Sequence, residues 1–388
     1  MEEAVIVATA RTPIGRAYKG SLIDYRPDDL CGFIVDDLMK KVPELSRSDV
    51  DDVIIGAANH SGEQSMNLGR NVAGLAGLPD TVPGTTVNRF CASSLQSIRM
   101  AFHAIAAGEG HAFVAGGVES VTRTLGVGFS ATDMNPRYTD TSRDDFINLM
   151  YIPMGLTAEN VADKYDVTRA DMDEFAKLSQ DRAVAAQNNG FFEREITPVT
   201  LPNGSVFAKD DGPRAGTTIE RLSQLPPVFR PDGRVTAGNA CPLNDGAAAV
   251  LVLSRSKAAE IGVKPKARII ASAISGLAPE IMGVGPIEAV RKVLALAKMT
   301  IGDIDIVELN EAFAAQVLPI CRELGISIED QLNPHGGAIA LGHPFGMTGA
   351  RIMTTLLNDL ETTDKTIGLE TMCIGGGQGM AMIVERLN

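Results

Sequence analysis

Short apolar runs alternate with amphipathic helical patterns along this chain, and the same order of elements occurs near both ends. No other feature constrains the fold as strongly. "AVIVATA" (4–10) reads as a buried strand, 28–42 as a helix with Leu30, Phe33, Ile34 and Leu38 at helical spacing, and 50–58 as a strand. A helix over 91–107 and a strand over 110–120 follow. Late in the chain, 267–276 resembles the opening strand and 285–299 reads as a helix. A strand over 304–313 leads into a polar turn, 349–360 is a helix, and 366–387 reads as two strands joined at glycines. Strands this apolar need cover on both faces, so the alternation predicts α/β layers. The similar order over the first and last ~120 residues suggests an internal duplication. The middle, roughly 118–240, is polar and rich in Asp, Arg, Asn and Pro, and reads as an insert between the halves. Its clearest helix spans 168–190, with Thr168 as N-cap and Gly190 as stop.

A chain of 388 residues exceeds one typical core. Its net charge of −13 disfavours nucleic acid and anionic membrane surfaces, and the absence of Trp leaves little for stacking on bases. The five cysteines are odd in number, widely spaced and without CxxC, which argues against a disulfide framework and a cysteine-rich metal site. The five histidines are scattered, so no metal is expected. The N-terminus lacks a basic segment followed by an apolar one, and no apolar run would span a bilayer. A soluble, cytoplasmic protein is expected.

Four stretches carry candidate chemistry. In "NRFCASSLQS", Cys91 stands at the predicted start of a helix, where unpaired N–H groups favour a thiolate, although taken alone the residue reads first as a small buried core cysteine. In "GGAIALGHPFGMTGAR", His343 lies between Gly342 and Pro344, suiting either a general base or a core histidine. In "MCIGGGQGM", Cys373 precedes a glycine run and fits a proton carrier or a buried strand residue. Asn310 and Glu311, in "ELNEAFAA", sit at a strand-to-helix junction, where either caps the helix or Asn310 orients a water or oxyanion. GxxxxGK[ST], GxSxG and HExxH are absent, and "GVGPIE" lacks the third glycine of a dinucleotide fingerprint.

Taken together, these stretches resemble the thiolase family over essentially the whole chain. "VATARTPIG", "GGVESVTR", "PMGLTAENVA", "RVTAGNACPLNDGAAA" and "MGVGPIEA" extend the match in the expected order. The resemblance implies two similar βαβαβαββ halves in a five-layer α-β-α-β-α core with an inserted loop domain. The halves would be 1–117 plus 241–265 and 266–388, with 118–240 as the loop domain holding coenzyme A. It implies thiolysis of 3-ketoacyl-CoA to acetyl-CoA and a shortened acyl-CoA, in fatty-acid or related β-oxidation. Cys91 would carry the acyl group, His343 would activate it and Cys373 would shuttle the proton. Asn310, through a water, and His343 would form one oxyanion hole; the N–H groups of Cys91 and Gly375 would form the other. Arg214 and Phe229 match positions near the nucleotide of coenzyme A, Cys241 a pantetheine contact, and Met154, Met282 and Phe313 the acyl or pantetheine tunnel. Coenzyme A is a co-substrate, and no cofactor is permanently bound. A homodimer or homotetramer is implied, with a multifunctional β-oxidation subunit as a possible partner.

The match has departures. Biosynthetic acetoacetyl-CoA thiolases usually carry a histidine where Pro153 stands. That position, with Asn88 and Arg89 before the nucleophile, favours the degradative branch over the biosynthetic alternative. His335 replaces an asparagine or apolar residue and Cys241 a serine; both would alter substrate contacts, whereas Cys31 and Cys321 look structural. Condensing synthases on the same fold generally lack a counterpart of Cys373, and the intact set of four polar groups argues against a non-catalytic acyl-CoA-binding protein.

Overall fold

The computed structural model describes residues 2–387. The first half contains β1 (Ala4–Arg11), α1 (Pro27–Lys40), β2 (Asp52–Gly56), α2 (Leu68–Leu75), β3 (Gly84–Val87), α3 (Ser93–Ala107) and β4 (Ala112–Ser120). A long excursion carries α4 (Met154–Lys164) and α5 (Arg169–Asn188) before the chain returns as β5 (Asn244–Ser254). The second half contains β6 (Ala267–Gly276), α6 (Gly285–Ala297), β7 (Ile306–Leu309), α7 (Ala314–Leu324), α8 (Thr348–Thr362), β8 (Ile367–Ile374) and β9 (Gln378–Arg386).

The strands run in the order β7-β8-β9-β6-β1-β5-β4-β2-β3. Counted from the seam, the second half arranges its four strands as first, last, third, second, and the first half its five as first, last, fourth, second, third. The halves touch edge to edge through only Val5 with Arg268 and Ile6 with Ala267. In both, the strands next to the seam are antiparallel and the outer ones parallel: β7 with β8 in the second half, and β4, β2 and β3 in the first. Helices α3 and α8 pack on each other between the two half-sheets; α1 and α2 cover the outside of the first, α6 and α7 the outside of the second. This is a five-layer α-β-α-β-α sandwich with three apolar cores.

Local chemistry explains the elements. Pro27 opens α1 with Asp28 and Asp29 in its first turn and Lys40 in its last, matching the helix dipole. Thr168 and Asp171 form a reciprocal capping box on α5, and Gly190 follows it in a left-handed conformation. Strands β8 and β9 form a hairpin through Gly375–Gly376–Gly377. Gly377 requires glycine: its φ is +82°, and a Cβ there would lie 2.2 Å from the Leu277 carbonyl oxygen.

Several sequence expectations need correction. Strands predicted over 50–58 and 304–313 are shorter, at Asp52–Gly56 and Ile306–Leu309, because both chains leave the sheet to build polar turns. Phe33 is only partly buried, although Leu30, Ile34 and Leu38 face the core as predicted. Strand β5 was not singled out by pattern, yet all eleven of its residues are buried between β1 and β4. Buried on both faces, it shows no alternation to read.

Candidate active site

Cys91 does not begin a helix. It lies in a short 3-10 turn, Phe90–Ala92, that precedes α3. Phe90 holds a φ of +45°, an uncommon conformation for a bulky residue, and so bends the chain sharply at the cysteine. Ala350 N–H, in α8, donates to Ser94 Oγ at 2.9 Å, so the starts of the two inner helices abut. Cys91 and His343 both belong to the turns leading into that junction.

The other groups come from the ends of β7 and β8. The Asn310 N–H donates to the Thr371 carbonyl at 3.0 Å, which places the amide beside the last turns of β8, where Cys373 stands. Asn310 Nδ2 lies 3.3 Å from His343 Nε2, and its Oδ1 is buried without a protein partner. Gln316 Nε2 donates to Cys373 Sγ at 3.0 Å. Beyond the strand, the Gly375 turn lies against Phe90, and the backbone N–H groups of Gly375 and Cys91 are near enough to the Cys91 sulfur to favour its thiolate. A Cβ on Gly375 would sit 3.6 Å from Met154 Sδ and 3.7 Å from the Phe90 ring, so these side chains bound the space in front of the turn.

The tautomer of His343 follows from its neighbours. The Thr348 hydroxyl donates to the Pro344 carbonyl at 2.8 Å, so toward His343 Nδ1, 2.6 Å away, it can only accept. Nδ1 therefore carries the proton and Nε2 the lone pair. Burial, helped by the Arg351 cation, pushes the imidazole pKa down to about 3, so it is neutral at pH 7. Its position is fixed by its own N–H, which donates to Asn244 Oδ1 at 2.9 Å, while Asn244 Nδ2 donates to Gly15 O at 3.1 Å. The buried Glu119 carboxylate accepts from Gly346 N–H at 2.9 Å and Ala58 N–H at 2.8 Å, tying the histidine loop to the first half.

Burial reverses the expected lowering at Cys91. Loss of water pushes its thiol pKa well up, and the neighbouring thiols of Cys373 and Cys241 add to this; the two N–H donors oppose it. Burial pushes Cys373 up to about 11 against the opposing Gln316 hydrogen bond, and Cys241 up to about 12. The resting site thus holds neutral thiols beside a neutral imidazole with a free lone pair. Such a set can transfer protons and accommodate an acyl group on sulfur with an oxyanion facing two N–H donors.

The structure brings Cys91, Cys241, Cys373 and Gly375 near one another, with Asn310 just past β7 reaching His343 in the loop before α8. Met282 and Phe313 are buried in the apolar core that also holds Cys373, and Met154 and Cys241 pack against it. Phe229 is exposed at its rim, over Gly155 and edge-on to Phe313 at 6.2 Å between ring centres. Arg214 lies outside this group: its N–H donates to Gln180 Oε1 at 2.8 Å, and its exposed guanidinium neighbours Arg16. His335 does not reach the thiols; it stacks 3.5 Å from the Phe191 ring and bonds the buried Asp359, so the expected substrate contact is replaced by a packing role. Cys31 and Cys321 are buried among apolar residues. Sequence reasoning missed Thr348, Asn244 and Gln316 as partners of the site. Gln316 was visible as the final residue of "NEAFAAQ", but its thiol partner lies 57 residues away. No group of residues suited to a metal occurs among the described residues, nor a helix long and apolar enough to cross a membrane.

Known proteins share this architecture. Residues 4–256 match the description "Thiolase, N-terminal domain" and 263–386 match "Thiolase, C-terminal domain". A beta-ketoadipyl-CoA thiolase of Acinetobacter baylyi is 48% identical over 100% of both chains. A 3-oxoadipyl-CoA/3-oxo-5,6-dehydrosuberyl-CoA thiolase of Escherichia coli is 46% identical, also over 100% of both. The crystal structure of a Bacillus anthracis acetyl-CoA acetyltransferase superposes with a TM-score of 0.91 at 38% identity, covering 100% of this chain and 99% of that one.

Proposed function

The chain belongs to the thiolase family of acyltransferases, with coenzyme A as co-substrate, and on that premise we propose that it cleaves a 3-oxoacyl-CoA whose acyl group is a dicarboxylic chain such as 3-oxoadipyl. The relatives' names support that acyl group and move the reading away from plain fatty-acid chains. The observation that carries the reaction is that Cys91 of the first half lies near enough to Cys373 of the second for each thiol to disfavour the other's charge, with the Gly375 turn packed against Phe90 beside it.

In this reading His343 Nε2 takes the Cys91 proton as the sulfur attacks the 3-oxo carbonyl. The N–H groups of Cys91 and Gly375 hold the tetrahedral oxyanion. The Cα–Cβ bond then breaks, leaving acyl-Cys91 and the enolate of acetyl-CoA. The new imidazolium, disfavoured by burial when alone, is offset by that negative charge. With Asn310 and a bridging water it faces the enolate oxygen, while Cys373 delivers a proton to the enolate carbon. Coenzyme A then takes the acyl group from Cys91 by the reverse of these proton transfers. The excursion between β4 and β5 supplies Met154, Phe229 and Arg214, and we assign it the coenzyme A-binding role; Arg214, beside Arg16, suits the anionic nucleotide end. A homodimer or homotetramer fits this reading, since the outer edge of β3 has no strand partner among the described residues and lies beside the nucleophile turn; a cytoplasmic location belongs to the same proposal.

The test is turnover with coenzyme A against acetoacetyl-, medium-chain, long-chain, ring-bearing and 3-oxoadipyl-CoA, alongside Cys91→Ala and Cys373→Ala. Preference for 3-oxoadipyl-CoA, lost in both variants and accompanied by an acyl adduct on Cys91 of the wild type, is the expected result. Preference for acetoacetyl-CoA would favour the biosynthetic reading suggested by the Bacillus anthracis structure, despite Pro153 at the N-cap of α4.

A further inference from the structure

Arg89 stands two residues before Cys91, half-buried, and takes no direct part in the reaction described above. Burial lowers its pKa, with no carboxylate acting to restore it. An arginine in that situation must be held by neutral acceptors, and two are present. Its Nε donates to Gln96 Oε1, on α3, at 2.9 Å. Its Nη1 donates to Gln378 Oε1, the first residue of β9, at 2.8 Å. Gln378 in turn directs its Nε2 at the Gly375 carbonyl, 3.4 Å away. On the other side, the Arg89 N–H donates to Ser93 Oγ at 2.9 Å, and Ser93 Oγ donates to the Phe90 carbonyl at 2.6 Å. A continuous set of hydrogen bonds thus runs from the turn that carries Cys91 to the turn that carries Gly375.

These two turns belong to different halves of the molecule, 284 residues apart by number (375 − 91). The Gly375 N–H acts on Cys91 only if they keep register. Its own turn is built of glycines, and Gly376 and Gly377 both have positive φ, so the turn has little side-chain packing of its own to fix it. We propose that Arg89 is a positioning residue whose guanidinium, forked between Gln96 and Gln378, fixes the Gly375 N–H over the Cys91 sulfur. The inference rests on the thiolase reading above and adds a residue to it. A planar fork with two fixed N–H directions performs this bridging; an ammonium group is a point charge and does not.

The test separates two reactions of the same sulfur in the full chain. Acylation of Cys91 by acyl-CoA passes through an oxyanion and needs the Gly375 N–H. Alkylation of Cys91 by iodoacetamide displaces iodide directly and forms no oxyanion. Both are read on the Cys91 peptide by mass spectrometry in the wild type, Arg89→Ala, Arg89→Lys, Gln378→Ala and the double Arg89→Ala/Gln378→Ala variant. Loss of a whole oxyanion donor costs about 100- to 1,000-fold, and a displaced one should cost at least about tenfold. Acylation should therefore fall at least about tenfold in all three single variants, no further in the double one, while alkylation stays within about twofold. Recovery by lysine would show that charge alone matters. Multiplying losses in the double variant would show that the two residues act separately, and alkylation falling in parallel would show a collapsed Cys91 turn. Each overturns the proposal. If Arg89→Ala does not fold, Gln378→Ala, which leaves the guanidinium in place, carries the same comparison. Absence of acyl-Cys91 in the wild type would instead remove the thiolase reading itself.

Discussion

Replacing Thr348 with valine tests the base most directly. Thr348 and His343 are both buried, and valine matches threonine closely in volume while lacking the hydroxyl. The wild-type hydroxyl accepts the Nδ1 proton and so keeps the lone pair on Nε2. In the variant the imidazole has two choices. It can keep Nδ1–H unpaired in the interior, at about 1–3 kcal/mol, or move the proton to Nε2 and lose its basic nitrogen there. Either way the reactive tautomer becomes less favourable by that amount, which lowers the rate of Cys91 acylation by roughly 5- to 150-fold. Thermal stability should fall by less, because the ring can relax into the second tautomer. The assay is rapid-quench acylation, paired with 15N shifts of the imidazole, which report the protonated nitrogen. Thr348→Ser keeps the hydroxyl and should keep most of the rate. A Thr348→Val variant that acylates within twofold of the wild type, or a wild type whose 15N shifts place the proton on Nε2, would refute this tautomer assignment.

Two other consequences follow from the same geometry. In Gly375→Ala the new methyl makes only ordinary contacts with Met154 and Phe90, so the melting temperature should hold while thiolysis of acyl groups beyond acetyl drops; Gly377→Ala, blocked by the Leu277 carbonyl, should instead lose stability, and a reversal of these effects would contradict the turn geometry. His343, depressed to about 3 from an unfolded value near 6.5, binds a proton more readily in the unfolded chain; its stabilising contribution is whole above pH 6.5 and is lost as pH falls toward 3, at up to about 1.4 kcal/mol per unit. Urea midpoints between pH 7 and 4.5 should therefore fall further for the wild type than for His343→Asn, and equal slopes would show that the histidine is not neutral in the fold.

Legibility in the sequence followed the physical origin of each signal. The two strands flanking Gly375–Gly377 and the helix over Thr348–Thr362 were readable because apolar spacing and glycines are local properties. Strand β5 was not, since burial on both faces erases alternation. The four polar groups were found by motif, and their convergence depends on the pairing of β7 with β8 and of α3 with α8, which no local pattern encodes. His335 misled because residue type alone does not say which face of a loop it occupies; stacking on Phe191 turned it away from the thiols. The thiolate expected at Cys91 failed on magnitude, as burial outweighed the N–H donors.

The internal duplication explains why the site needs both halves. Strand register makes the halves comparable: Gly56 pairs with Gly117 in the first, and Leu309 with Thr371 in the second. One residue past β2 lies Ala57, and one residue past β7 lies Asn310. Two residues past each paired partner lie Glu119 and Cys373. The equivalent positions have opposite uses. Glu119 spends its oxygens on backbone N–H groups of both halves and is structural. Cys373 keeps a single partner, Gln316, and stays free to exchange a proton. In the proposed reaction the first half thus provides the nucleophile and a rigid anchor, and the second provides the base, the amide, the second thiol and the Gly375 donor. A symmetric pair of halves would set two bases or two nucleophiles at the junction of α3 and α8. Breaking that symmetry at these positions converts a duplicated scaffold into one site with a direction to its proton flow.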